Sequence, residues 1–299
     1  MKKILIQLDT DKHASAFDRF VAFDGGADEV LSYSGVTPAD VANLVQGAMF
    51  TRAPQDLKNT AVWIGGSDVI AGEQMLDEVR KCFFDPFQVS VMVDSNGCNT
   101  TAAAAVALLK KQPNLAGSKA VVMGLGGVGQ RAALLLARAG FQVVATTVPI
   151  AILGDRYTPG RGMRGVVNLR KLAEQIPNLQ VQEVPEWSML EQVLADTQIA
   201  LAAAPAGIQV LKKDFWSAHA ALKVLVDFNL AEPVGIEGVK PGDKFKDRGD
   251  QNRSKLTLGP LTIGNPKMKV HKACITQLFE RNTHVFDTES IYQVAEETV

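Results

Sequence analysis

The sequence predicts an α/β fold in two domains. Three observations carry that expectation. Short runs rich in valine, isoleucine and leucine alternate with helix-forming runs along most of the chain, the pattern of parallel strands covered by helices. One strand–helix–strand unit carries a glycine signature in its first turn. The length, 299 residues, is that of two ordinary domains.

The unit with the glycine signature covers residues 119–147, KAVVMGLGGVGQRAALLLARAGFQVVATT. Lys119 to Met123 is a buried strand, and Gly124, Gly126 and Gly129 then form G-x-G-x-x-G. Gln130 to Ala139 forms a helix with a broad apolar face at Leu134, Leu135 and Leu136; Gly140 stops it, and Gln142 to Thr146 is the second strand. A dinucleotide fingerprint requires this context. Gly124 permits the tight turn, Gly126 lets a pyrophosphate approach the backbone, and Gly129 lets the helix pack on the strand. The free N–H groups and positive dipole end of the helix then face the phosphates, and Gly127 and Val128 of the turn are cofactor-binding candidates as well. A Rossmann-type parallel-sheet domain that binds a nicotinamide dinucleotide is expected over 113–265. The alternative is a tight turn without a ligand.

The end of the second strand bears on which dinucleotide. An NAD site usually places Asp or Glu about 20 residues on, to hold the ribose hydroxyls. Ala145 to Pro149 contains no carboxylate, which favours NADP, with NAD as the alternative. Thr146 and Thr147 offer hydroxyls to a 2′-phosphate, and Arg156 or Arg161 offers a cation from the loop that follows. Ala204, after a later strand, is small enough for a cofactor to lie close, and Asp227 and Asn229 close the next strand. All three are cofactor-binding candidates.

The remaining elements follow in order. Lys3 to Leu8 is a strand ending in the polar cluster Asp9-Thr10-Asp11, where α/β proteins place ligand contacts. Ser15 to Ala22 is a short helix and Glu29 to Tyr33 a strand. Thr37-Pro38 opens a helix to about Gln46, with Thr37 as its cap. Thr60 to Gly65, a helix over Ser67 to Lys81, and strand Val89 to Val93 complete an α/β pattern. Asp94-Ser95-Asn96-Gly97-Cys98-Asn99-Thr100-Thr101 is polar and precedes a helix over Ala102 to Lys111. It is either a helix cap from Asn99, Thr100 or Thr101 or a polar loop at a mouth between domains, with Asp94, Asn96, Asn99 and Thr100 as substrate-binding candidates. Later strands are expected at 181–184, 199–203, 222–228 and 258–263, helices at 169–175, 189–195, 270–280 and 289–297, and an exposed charged loop at 240–256. Residues 266–299 are expected to return to the first domain, 1–112.

Composition narrows the function. The 31 basic and 32 acidic residues nearly cancel, which removes the electrostatic argument for a nucleic-acid partner. No run approaches the ~18 apolar residues of a membrane span. Gln7 and Asp9 interrupt the opening apolar run, which reads as a strand rather than a signal peptide. Cys82, Cys98 and Cys274 are scattered without metal-ligand spacing, so a reducing cytoplasm and no metal are the simplest expectation.

The polar loops also form a set. LDTDKHASAFD, FDGGAD, VDSNGCNTTAAA, GLGGVG, VDFN, KMKVHKACITQLFE and the closing VFDTESIY resemble, in order and over nearly the whole chain, the bacterial methylene-tetrahydromethanopterin dehydrogenases. The sequence is similar to NADP-dependent members from methylotrophs, which also accept methylene-tetrahydrofolate. The resemblance implies a two-domain α/β fold, a pterin site in the cleft, and a homo-oligomer, a trimer. It implies reversible hydride transfer from a methylene bridge to the nicotinamide, giving a methenyl cation. That chemistry asks for no nucleophile or metal, because the two nitrogens flanking the carbon share the charge. Orientation alone can contribute about 7–11 kcal/mol, and the cofactors carry the reaction.

By the resemblance, Lys267 matches the lysine of the family's G-x-K-x-K-x-H motif that is important for activity, and Asp18, beside Phe17, matches a position near the pterin. From the residues alone, Lys267 reads as a surface lysine and Asp18 as a helix-surface carboxylate. His271 reads as a packed, hydrogen-bonded histidine, since Ile275 and Leu278 share its helical face. Cys98 and Cys274 read as packing residues. Two departures stand out. Thr147-Val148 replaces the Gly-Arg pair that follows the second Rossmann strand in the methylotroph member, and Gly127 replaces a proline in the glycine turn. Two other readings stay open: a tetrahydrofolate dehydrogenase that also hydrolyses the methenyl group, and an NADP-sensing module without turnover.

Overall fold

The computed structural model describes residues 1–158, 160, 163–250 and 253–299. The chain forms two compact units, Met1–Ala103 with Pro266–Val299, and Ala104–Asn265.

The first unit opens with β1 (Ile4–Asp9), α1 (Ala16–Asp24), β2 (Glu29–Tyr33), α2 (Val41–Met49), β3 (Thr60–Gly65), α3 (Val69–Lys81) and β4 (Ser90–Val93). α4 (Cys98–Lys110) begins here and ends in the second unit. β3 and β4 are buried at every residue, so both faces of the sheet are covered. Each large apolar side chain buried in this way contributes roughly 1.5–3 kcal/mol. Two helix starts differ from expectation. Thr37 is not a cap: its N–H and hydroxyl donate to Asp40 at 2.9 and 2.6 Å, and α2 starts after Asp40. α4 starts at Cys98, four residues early, because Asp94 accepts from the N–H groups of Asn99 and Thr100 and takes the capping role from upstream.

The second unit contains β5 (Lys119–Met123), α5 (Gly127–Arg138), β6 (Gln142–Thr146), α6 (Ile150–Leu153), α7 (Met163–Ala173), β7 (Leu179–Gln182), α8 (Trp187–Leu194), β8 (Ile199–Ala202), α9 (Lys213–Ala218), β9 (Val224–Asp227), β10 (Lys244–Asp247) and β11 (Leu256–Leu258). The strand order is β10-β11-β9-β8-β5-β6-β7. All pairs are parallel except β10 with β11. Counted from β5, the parallel strands run 3-2-1-4-5-6, the doubly wound Rossmann order, with the point of reversal at β5 and β8. The charged stretch 240–256, expected as a loop, supplies edge strand β10; its lysines suit an edge that must not pair further.

α10 (Pro260–Leu278) carries the chain back; β12 (Val285–Phe286) and α11 (Thr288–Thr298) close it. α10 overturns the expected strand at 258–263. It continues through Pro266, although proline removes one helical hydrogen bond. Buried Ile263 on one side, and Val270, Cys274, Ile275 and Leu278 on the other, hold it together. β12 joins the first sheet beside β4, giving the all-parallel order β12-β4-β3-β1-β2, whose reversal lies between β1 and β3. Among the described residues no helix is long and apolar enough to cross a membrane.

Candidate functional site

Each unit carries chemistry at the carboxyl ends of its strands, at its point of reversal. In the second unit the site is made of backbone. The register aligns Met123 of β5 with Ala202 of β8 and Thr146 of β6. Gly124 follows with φ +106°, and a Cβ there would lie 2.5 Å from the Ala203 carbonyl oxygen. Only glycine fits. A Cβ on Gly129 would overlap the Gly124 carbonyl, so α5 can approach β5 only with glycine there. Gly126 is the opposite case: it is exposed, and nothing lies within 4 Å of the point where a Cβ would stand. It precedes the first residue of α5 with no side-chain cap, and Gly127 and Val128 beside it are half-buried. The positive end of a helix therefore faces open space, the arrangement that receives a phosphate.

Other cofactor candidates are placed differently from expectation. Thr146 is fully buried and its hydroxyl donates to the Val122 carbonyl at 3.4 Å, so it has no access to a 2′-phosphate. Thr147 is half-buried; its oxygen accepts from the Val184 N–H at 2.8 Å and its proton remains to donate. Ala204 turns into the core, and Ala203 lies against the glycine turn in its stead. Arg156 donates to the Ala206 carbonyl, on the β8 side rather than at the end of β6. Arg161 lies outside the described residues. Asp227 is fully buried, and its carboxylate accepts from Asn229 at 2.9 Å and Ile236 at 2.7 Å. It shapes the loop after β9 rather than facing a ligand, and burial pushes its pKa up to about 6. Asn229 Nδ2 is buried with no hydrogen-bond partner.

In the first unit the site is made of side chains. Parallel pairing sets Asp9, the last residue of β1, opposite Gly65, the last residue of β3, and Asp94 follows β4 alongside. Asp9 accepts from the N–H groups of Asp11 and Ser15, both at 2.9 Å, and so fixes the loop that launches α1. Asp18 returns from α1 toward Gly65, where a Cβ would lie 3.1 Å from Asp18 Oδ2, 3.4 Å from Asp9 Oδ2 and 3.5 Å from Trp63 Nε1. Gly65 makes room for this convergence. Asp94 accepts the Thr100 hydroxyl at 2.6 Å.

α10 brings Lys267 to this cluster. Its Nζ sits 4.8 Å from the centre of the Phe17 ring, and 2.6 Å from where a Cβ on Gly97 would stand. One turn on, His271 is fully buried, its ring 4.4 Å from that of Trp63 and 6.4 Å from that of Phe17. Its two nitrogens have no hydrogen-bond partner, and Nε2 is 3.8 Å from Asp94 Oδ2. The expected hydrogen bond to His271 is therefore absent. Burial, then the nearby Lys267 charge, holds its pKa well below the ordinary value, so the ring is neutral.

Burial pushes the pKa of Asp18 up to about 7, with repulsion from Asp94 and Asp9 adding to it and Lys267 and the Ser15 hydroxyl opposing. Burial also raises that of Asp94, opposed by the Thr100 hydroxyl and Lys267. Asp18 thus titrates near neutrality, the range of functional carboxyls. Among the described residues no group of three His, Cys, Asp or Glu side chains is arranged to hold a metal ion.

A family profile described as "Methylene-tetrahydromethanopterin dehydrogenase, N-terminal" matches residues 16–96. The "Bifunctional protein MdtA" of Methylorubrum extorquens is 38% identical over 299 residues, covering 99% of this chain and 99% of that protein. The "NAD(P)-dependent methylenetetrahydromethanopterin dehydrogenase" of the same organism is 29% identical over 310 residues, covering 99% of this chain and 98% of that protein. The chain belongs to the methylene-tetrahydromethanopterin dehydrogenase family.

The profile that defines the N-terminal part of this dehydrogenase family runs from α1 to Asn96, and so takes in Phe17, Asp18, Trp63, Gly65 and Asp94. Asn96 is exposed, at φ +53°, on the turn between β4 and α4. Asn99 is not a ligand-facing residue: its amide donates to the Val93 carbonyl at 2.7 Å and its oxygen accepts from Thr288 at 2.8 Å. Thr100 is fully buried and acts on Asp94. Sequence reasoning missed Trp63, Gly65 and Gly97. A glycine ending a buried strand, and one following Asn96 before a helix, were the signals on offer. Cys98 and Cys274 are buried, and burial pushes the Cys274 thiol up, away from reactivity.

Proposed function

We propose that this protein oxidises methylene-tetrahydromethanopterin reversibly to its methenyl form, with NADP as hydride acceptor and NAD as the alternative. One observation carries the reading. In a chain related end to end to dehydrogenases of this family, Asp18 and Lys267, 249 positions apart by their numbers, meet in one cluster beside Phe17. We assign the first unit to the pterin and the second to the dinucleotide, which supplies the hydride acceptor when bound.

The residues of the first unit act through position and charge. The exposed face of Phe17 gives a flat ring something to stack on. Oxidation leaves a positive charge on the carbon and its two flanking nitrogens. Asp18, which titrates at about 7, favours that cation in its ionised form, and His271 beside it is neutral. Lys267 opposes the raised pKa of both Asp18 and Asp94 and so favours their charged forms. This accounts for a lysine beside a forming cation: it supports the carboxylates and donates to a polar group of the pterin. In the second unit, Gly126 and the start of α5 hold the phosphates.

The test is the initial rate of nicotinamide reduction at 340 nm with methylene-tetrahydromethanopterin and with methylene-tetrahydrofolate. NADP and NAD are compared for wild type and Lys267→Ala. Fast reduction that falls about 10²–10³-fold in the variant, with dinucleotide binding retained, is expected. No turnover with either pterin despite tight NADP binding would overturn the enzyme assignment.

A further inference from the structure

Arg156 follows β6, yet its guanidinium donates to the carbonyl of Ala206, in the loop after β8. In the strand order β8-β5-β6, the strand in the middle is the one that ends in the glycine turn. The arginine therefore reaches across the mouth of the phosphate cradle. Its approach is built. Ile152 and Leu153 of α6 pack against the core of the unit, and the Ile150 N–H donates to the Pro185 carbonyl at 2.9 Å. Gly154, at φ +52°, turns the chain directly after α6. On the receiving side Gly207 has φ +72°, and a Cβ there would stand 3.5 Å from both Nη atoms.

A 2′-phosphate belongs at the end of β6, beside Thr147 and Val148. A pyrophosphate belongs over Gly126 and the first turn of α5. Building on the dinucleotide reading above, we infer that Arg156 clamps the pyrophosphate of the bound dinucleotide and does not read the 2′-phosphate. The planar fork that rests on a single carbonyl in the free protein can engage two phosphate oxygens instead. The consequence is specific: Arg156 serves NADP and NAD equally and contributes nothing to choosing one over the other.

The experiment measures binding to the full chain by calorimetry, for wild type, Arg156→Ala and Arg156→Lys. The probes are NADP, NAD, ADP-ribose, which has the pyrophosphate without a 2′-phosphate, and 2′-AMP, which has a 2′-phosphate and no 5′-phosphate. Arg156→Ala is expected to weaken NADP, NAD and ADP-ribose by a common factor of about ten, the loss of one charge-assisted fork. Binding of 2′-AMP stays unchanged, and Arg156→Lys falls in between. Loss confined to NADP and 2′-AMP would overturn the inference and make Arg156 a 2′-phosphate reader. Unchanged binding of all four probes, with a lowered melting temperature, would leave only a loop staple and overturn it too. Wild-type protein that binds neither dinucleotide would sink the dinucleotide reading itself, an outcome distinct from either.

Discussion

The phosphate cradle of the second unit and the acid cluster of the first stand at equivalent places in two parallel sheets, and they are made of opposite materials. The cradle is backbone: two glycines that tolerate no Cβ, Gly124 and Gly129, frame one with open space before it, Gly126. The cluster is side chains from α1, from the end of β1, from β3, from the turn after β4, and from α10. A backbone site presents fixed dipoles of one sign and suits a ligand whose charge does not change. A side-chain site can hold carboxylates near their titration point, and suits a carbon that changes charge during the reaction.

The comparison breaks most visibly at Gly124. Gly124→Ala adds a Cβ 2.5 Å from the Ala203 carbonyl at a φ of +106° that alanine avoids. We expect dinucleotide affinity to fall by roughly 100-fold, about 2.7 kcal/mol. Pterin binding by the first unit should be unaffected, as fluorescence titration of each ligand would show. A loss of both ligands together would mean that the two sites are not separable.

The same contrast explains what was legible in the sequence. The cradle was, because its parts lie within six consecutive residues and each glycine has a local reason to be there. The order of β5, α5 and β6 followed with it. The acid cluster was not legible from periodicity. Asp18 and Lys267 were singled out by resemblance, and nothing local to either predicts that β1, β3 and β4 end side by side. Gly65 and Gly97 matter only for what approaches them through space. α10 was misread as a strand at 258–263 and a helix at 270–280, whereas buried residues on both sides of Pro266 hold one continuous helix. β12, two residues long, is too short for alternation to register. Thr146 and Asn99 were polar residues at strand or helix ends, and only the fold shows that their hydrogen bonds are made internally.

Gly97 gives the smaller, sharper test. A Cβ there would stand 2.6 Å from Lys267 Nζ, at a φ of +62°. The lysine end is flexible, so Gly97→Ala displaces it rather than unfolding the turn. The expected result is a kcat about tenfold lower, about 1.4 kcal/mol, with the Kd for NADP unchanged. A kcat equal to wild type would mean that the placement of Lys267 is not critical, contrary to the side-chain half of the comparison.

The smallest effect separates function from stability at Asp18. Its folded pKa of about 7 exceeds the ordinary 3.8, so the folded state holds a proton that the unfolded state gives up. Stability from this group is therefore full below about pH 4 and falls as pH rises toward 7, then levels off. Asp18→Asn keeps the shape and removes the titration. Relative to wild type it should gain about 1–3 kcal/mol in urea unfolding between pH 5 and pH 8, while its oxidation rate should lack the rise through pH 7 expected of wild type. Lys267 opposes the raised pKa, so Lys267→Ala should move that midpoint upward in whatever turnover remains. Parallel pH slopes of stability in wild type and Asp18→Asn would show that Asp18 is not the group titrating, and the charge-changing role would pass to Asp94, the other carboxyl whose pKa burial raises.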